Sequence, residues 1–200
     1  MEDNKFHIVI VDDTMGEKDP FVVNLKLDFS DVAYVSYFNS VESAMSFIDS
    51  HMSERIIVFM DCKFGSVWQG VDAVLELRKK TSLIYIIMMS ANPVNQLTQK
   101  DIASLINADN IFFIKNTDSL GAVEKIEVIR GLWKSQFDCI LEEWLLRHPE
   151  DHDKIAYSVA GGKSYTWKDI LVELRLRTQV GKAIEQMVNE YYLYEYTSKN

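Results

Sequence analysis

The chain of 200 residues has few of the residues from which compact scaffolds are pinned: two cysteines, three prolines, eight glycines and four histidines. Cys62 and Cys139 supply neither a disulfide framework nor the paired spacing of a zinc site. His7, His51, His148 and His152 are scattered, and only the last two are close in sequence. No imidazole metal centre is therefore expected, because a zinc site needs three or four convergent ligands. Long apolar runs are missing as well. The longest, residues 83–89, falls far short of the ~20 residues that cross a bilayer. The amino end, Met1 to Lys5, is polar, without the basic start and apolar stretch of a secretory signal. A cytoplasmic protein with no membrane partner is expected. Positive charge is also short, with 21 Lys and Arg against 30 Asp and Glu, a net charge of −9. Broad nucleic-acid binding rests on neutralising phosphates with cations, so protein partners are the better expectation.

What the chain does have is apolar residues, 48% of the total, arranged in short runs that alternate with amphipathic stretches. Residues 55–60 (RIIVFM) form one such run, which stops on Asp61. A continuous β-branched and apolar run of this length reads as a strand buried on both faces of a parallel sheet. Residues 6–11 (FHIVIV) end likewise on Asp12-Asp13, residues 83–89 on Ser90-Ala91, and residues 111–114 (IFFI) on Lys115. Residues 32–38 make a fifth strand. Helices are expected between them: from Pro20 to Asp28, after an Asn39 or Ser40 cap, over residues 69–80 and over residues 94–106. Right-handed crossovers then put every strand's carboxyl end on one edge, which is where ligands collect in open α/β sheets. Asp12, Asp13, Asp61, Ser90 and Lys115 share that edge.

Three neighbouring carboxylates repel unless a proton or cation intervenes, and a hard divalent ion such as magnesium is the oxygen-preferring solution. A carboxylate can also attack phosphorus to form an aspartyl-phosphate. In the order Asp12-Asp13, Asp61, Ser90-Ala91, Lys115, residues 5–133 resemble the receiver domain of two-component response regulators. The resemblance implies a doubly wound five-stranded parallel sheet in the order 2-1-3-4-5, closed by a long fifth helix. It implies Asp61 as phosphoacceptor, and Mg2+ held by Asp12, Asp13, Asp61 and the backbone carbonyl of Lys63, with Asp12 the looser member. It further implies Lys115, Ser90 and Ala91 at the phosphate, and Ser90 with Phe112 as the switch pair. A histidine kinase or a histidine phosphotransfer protein would be the donor, and a phospho-accepting signalling role rather than turnover chemistry is expected. The chain departs from the pattern in three places. The usual proline four residues after the acceptor is missing, Gly70 comes one position late, and Asn116 stands where a cis proline is usual. A cis bond to a non-proline residue costs about 2.5–4 kcal/mol, so a trans bond and a differently shaped loop are expected there.

Apolar residues recur at threes and fours from Ser119 to about Arg147, which reads as one long helix that kinks near Gly131 or extends past the receiver (residues 1–133). Residues 134–153 are read as helical extension and linker, with His148-Pro149 as a stop. Residues 154–200 form a small, mostly helical output region. Within it a hairpin turns at Gly161-Gly162, and a Thr166-capped helix and a Thr178-capped helix follow. The segment His148–Asn200 carries seven Lys and Arg against eight Asp and Glu, and only Arg175, Arg177 and Lys182 cluster. A downstream protein partner or a homodimer is favoured as the output. A DNA-binding transcriptional regulator and a non-phosphorylated receiver acting as a scaffold are the alternatives.

Overall fold

The computed structural model describes residues 5–91, 98–116, 118–134, 136–160 and 162–198. They form two compact units, residues 1–129 and 130–200.

The first unit alternates strands and helices: β1 (Phe6–Val11), α1 (Pro20–Asp28), β2 (Ala33–Phe38), α2 (Val41–Ser50), β3 (Ile56–Asp61), α3 (Gln69–Lys80), β4 (Tyr85–Ser90), α4 (Gln99–Ile106), β5 (Ile111–Lys115) and α5 (Ser119–Trp133), whose last turn crosses into the second unit. All strands run parallel in the order β2-β1-β3-β4-β5, the expected doubly wound arrangement. The three central strands β1, β3 and β4 are almost wholly buried, which is why their sequences are unbroken apolar runs rather than alternating ones. Helix starts follow local chemistry. Asp19 accepts from the Phe21 N–H ahead of Pro20 at the first turn, Ser40 caps α2, and Thr98 caps α4. The expected beginning of the fourth helix at Val94 and the expected hairpin glycine Gly161 lie outside the described residues.

In the second unit the helix expected to run from Ser119 to Arg147 is two helices. Gly131 lies inside α5, which ends at Trp133, and α6 (Phe137–Arg147) begins four residues later. The Gln136 N–H donates to the Trp133 carbonyl, closing a turn there. Apolar periodicity carries straight across such a short break, so it cannot reveal one. After a 3-10 turn at Pro149–Asp151 come the antiparallel hairpin β6 (Ile155–Ser158) and β7 (Ser164–Thr166), then α7 (Trp167–Arg175) and α8 (Gln179–Ser198). Thr166 and Asp169 make a reciprocal capping box at the start of α7. Leu141, Leu145, Ile170, Leu174 and Ile184 form this unit's own core.

Arg175 and Arg177, the sequence candidates for phosphate contacts, are turned to other uses. Arg175 is buried, with Asp138 at 3.3 Å and Glu142 at 2.9 Å on α6. Arg177, in the left-handed region at φ 53°, pairs with Glu185. Neither is the exposed cation that a DNA-reading face requires.

Candidate functional site

The parallel register delivers the acids to one edge. Asp12 and Asp13 follow β1, Asp61 closes β3 opposite Met89, and Ser90 closes β4 opposite Lys115 on β5. One carboxylate oxygen from each of Asp12, Asp13 and Asp61 lies within 4.8 Å of the others. Burial grades them, since Asp12 is fully buried, Asp61 half-buried and Asp13 exposed.

Asp12 is the most specified of the three. Its Oδ1 accepts from the Thr14 N–H (2.7 Å), the Thr14 hydroxyl (2.8 Å) and the Met15 N–H (2.8 Å). Its Oδ2 is buried and has no hydrogen-bond partner among the described residues. An unsatisfied buried carboxylate oxygen is costly, and a hard cation is the species that satisfies it without a donor proton. The donor set is all oxygen and anionic, so the residues fit magnesium. Three hydrogen bonds thus fix the orientation of the Asp12 carboxylate. Asp13 Oδ2 accepts the Gly65 N–H at 2.7 Å, which ties the acidic edge to the turn Phe64–Val67. That turn needs a left-handed residue, and Gly65 at φ 58° supplies it.

Asp61 has its carboxyl pushed up to about 6, first by burial, then by the charge of Asp12, against the opposing effect of backbone hydrogen bonds at Lys63 and Cys62. Because the folded state holds this proton more tightly than the unfolded chain, stability without metal falls as pH rises from about 4 through about 6. Asp61→Asn removes that cost. After discounting for solvent screening, it is expected to stabilise the metal-free chain by about 1–2 kcal/mol at neutral pH. Urea titrations at about pH 4 and pH 7 check this, and the variant should also show the flatter pH dependence.

Gly70, in the first turn of α3, backs directly onto Asp61. A Cβ there would stand 1.7 Å from the Asp61 carbonyl oxygen, so no side chain fits without moving the Asp61 backbone. Gly70→Ala is expected to cost about 3 kcal/mol and to weaken magnesium binding, readable by thermal unfolding and by titration with the ion.

The remaining positions fall as follows. Ser90 is half-buried, and its hydroxyl hydrogen-bonds the Cys62 thiol. Burial, then the Asp61 charge, push that thiol up to about 12, so Cys62 is a protonated core group. Ala91 and Lys115 are exposed at the same edge. Phe112 is half-buried on β5 and stacks with Tyr85, ring centroids 6.4 Å apart. The Lys115–Asn116 bond is trans, since no cis peptide occurs among the described residues. Trp68 packs on the core beside Phe64, with the Lys63 ammonium 4.2 Å from its ring centroid. Sequence reasoning missed Tyr37, whose hydroxyl donates toward the Asp12 (2.8 Å) and Met15 carbonyls and holds the loop after β1. Burial, then Asp12, Asp13 and Asp19, raise its phenol. Only its place at the carboxyl end of β2 could have flagged it.

Comparison with solved structures agrees with this reading of the fold. Residues of this chain superpose on a CheY-like response regulator receiver domain protein from Methanospirillum hungatei JF-1 with a TM-score of 0.52 at 17% identity, covering 66% of this chain and 99% of that one. The signal receiver domain of an HD domain-containing protein from Pseudomonas fluorescens Pf-5 superposes with a TM-score of 0.50 at 14% identity, covering 66% and 99%. The first unit therefore has the receiver fold, and the C-terminal region lies outside the likeness. No family model and no curated protein matches the sequence. No helix among the described residues is long and apolar enough to cross a membrane.

Proposed function

We propose that this chain is a cytoplasmic response regulator that accepts phosphate on Asp61 with magnesium and switches a protein-interaction or dimerisation output. The observation that carries the reading is the buried, unsatisfied Asp12 Oδ2 inside an acidic cluster at the carboxyl edge of a 2-1-3-4-5 sheet. Bound magnesium, held by Asp12, Asp13, Asp61 and the Lys63 carbonyl, would neutralise charge on the transferring phosphoryl group. Asp61 attacks the phosphorus through a carboxylate oxygen. The bond from phosphorus to the donor imidazole breaks, and its electron pair leaves with that nitrogen. Attack requires the ionised carboxylate, which a magnesium ion beside Asp61 would favour against the burial and the Asp12 charge that raise the metal-free group. Lys115 neutralises one phosphoryl oxygen. The Ser90 hydroxyl turns from the Cys62 thiol to donate to another, and Phe112 moves with it. The donor is a histidine kinase or a histidine phosphotransfer protein.

The protein-interaction output is favoured over DNA by the second unit. Its two clustered arginines are paired internally, and an apolar pocket of about 550 Å³ opens between α6, β6, α7 and α8, lined among others by Trp144, Tyr157, Trp167, Met187 and Tyr191. The test is native mass spectrometry of the full chain with magnesium and a small acyl phosphate donor. The proposal requires one phosphoryl group per chain, lost when magnesium is chelated. A mass unchanged by donor overturns it. Tyr191→Ala with Met187→Ala should weaken any phosphorylation-driven dimer or partner complex about tenfold or more while leaving phosphate uptake intact, by the same spectra.

A further inference from the structure

A second cluster of ligand-type side chains occupies the opposite, amino-terminal edge of the same sheet. We propose that His7, His51 and Glu54 form a binding site for a divalent transition ion of the zinc type. The site is separate from the acidic edge, because His7 and Asp12 stand five residues apart along the same chain, roughly 16 Å at strand rise.

The backbone brings these three residues together. His7 is the second residue of β1, and its N–H donates to the Arg55 carbonyl (2.8 Å) just before β3. Glu54 immediately precedes that carbonyl, and the Glu54 N–H donates to the His51 carbonyl (2.9 Å) in the turn that ends α2. The two imidazole rings are 4.9 Å apart between centroids. One nitrogen from each ring and one Glu54 oxygen lie within 4.8 Å of one another. Donors around a four-coordinate zinc with ~2.1 Å bonds stand about 3.4 Å apart, so an ion would part the His7–Glu54 pair slightly, which the half-exposed Glu54 side chain has room to allow, and would draw the His51 ring inward.

The protonation pattern suits a metal. His51 Nδ1 faces the Phe47 carbonyl at 2.8 Å and the Ser50 hydroxyl at 2.9 Å. A carbonyl only accepts, so Nδ1 carries the proton and Nε2 offers a lone pair, the outer-shell orientation that metal-binding imidazoles use. His7 Nε2 lies 2.6 Å from Glu54 Oε2. His7 itself is only 7% exposed, and its Nδ1 is buried without a hydrogen-bond partner. It is the Nε2 edge of this buried ring that meets the carboxylate, beside a second imidazole, so Nε2 is the atom an ion would take in place of a proton. Two imidazoles and one carboxylate suit zinc, which leaves a fourth position for water, whereas magnesium prefers oxygen donors. The two edges of one sheet thus sort two classes of cation. A bound ion would join the end of α2 to the starts of β1 and β3.

The experiment uses the full chain, stripped with chelator and then held in excess magnesium to fill the acidic edge. Zinc is titrated by calorimetry, and cobalt(II) is added as a spectroscopic probe. Wild type should take up one zinc, with the intense visible bands of four-coordinate cobalt. His51→Gln and Glu54→Gln, at positions that leave the core intact, should each weaken binding about a hundredfold or more, beyond the 10–100-fold that outer-shell losses cost. Asp61→Asn should leave zinc uptake unchanged. No zinc uptake by wild type overturns the proposal, as does uptake indifferent to both edge variants. Uptake abolished by Asp61→Asn assigns the ion to the acidic edge and overturns it equally.

Discussion

Asp61→Asn is expected to abolish phosphate acceptance completely, while Lys115→Ala lowers its rate about a hundredfold or more. The two effects differ in kind because the two groups do different work. Asparagine keeps the shape of Asp61 and can still accept the backbone hydrogen bonds at Lys63 and Cys62, but its amide is no nucleophile, so no acyl phosphate forms at any donor concentration. In the proposed reaction Lys115 would contribute charge to the transition state, and loss of one such donor typically costs 10²–10³ in rate. Asp12→Asn should sit between them. It keeps the three donors to Oδ1 but loses the anionic oxygen that awaits a cation, so the requirement for magnesium rises steeply. Time courses with an acyl phosphate donor, read by mass, separate the three. Residual phosphate on Asp61→Asn would move the acceptor elsewhere, and an unimpaired Lys115→Ala would remove the lysine from the phosphate.

In the second unit the largest effect is expected from Arg175→Met, a loss of about 3–5 kcal/mol. Asp138 and Glu142 have side chains only 13% and 15% exposed, and the substitution takes the guanidinium charge away from both of these poorly solvated carboxylates. The contrast is a triple replacement in which Asp138 and Glu142 also become apolar. Exchanging a whole buried ion cluster for packed side chains is often neutral or better, so stability should return. Hydrogen exchange of α6 and α7 in the full chain reads both variants without relying on a single global transition. If Arg175→Met left those helices protected, the arginine would be a surface cation after all, and the DNA-reading alternative would regain its face.

The first unit was legible because its buried parallel strands are simple objects in one dimension: apolar runs ended by Asp, Asp, Ser and Lys. Their adjacency on one edge follows from crossover handedness rather than from any particular side-chain contact. What stayed hidden depends on pairing between distant segments. The closeness of Gly70 to the Asp61 carbonyl, the Tyr37 hydroxyl against the loop after β1, and Arg175 held by α6 have no local signature. His7 and His51 look scattered in a list of histidines, yet the β1–β3 ladder and the turn after α2 bring them into ring contact. The break between α5 and α6 was invisible for the opposite reason, since a helical period persists across so short an interruption.

The placement of Trp68 gives the acidic edge a built-in optical probe. It is the only tryptophan in residues 1–129; Trp133, Trp144 and Trp167 all belong to residues 130–200. Its indole lies under the ammonium of Lys63, the residue whose carbonyl is assigned to magnesium. Ion binding that shifts the Lys63 backbone must therefore change the electric field across that indole. With the other three tryptophans replaced by phenylalanine, emission from a single ring would follow cation arrival and phosphate loading in real time, without any attached dye.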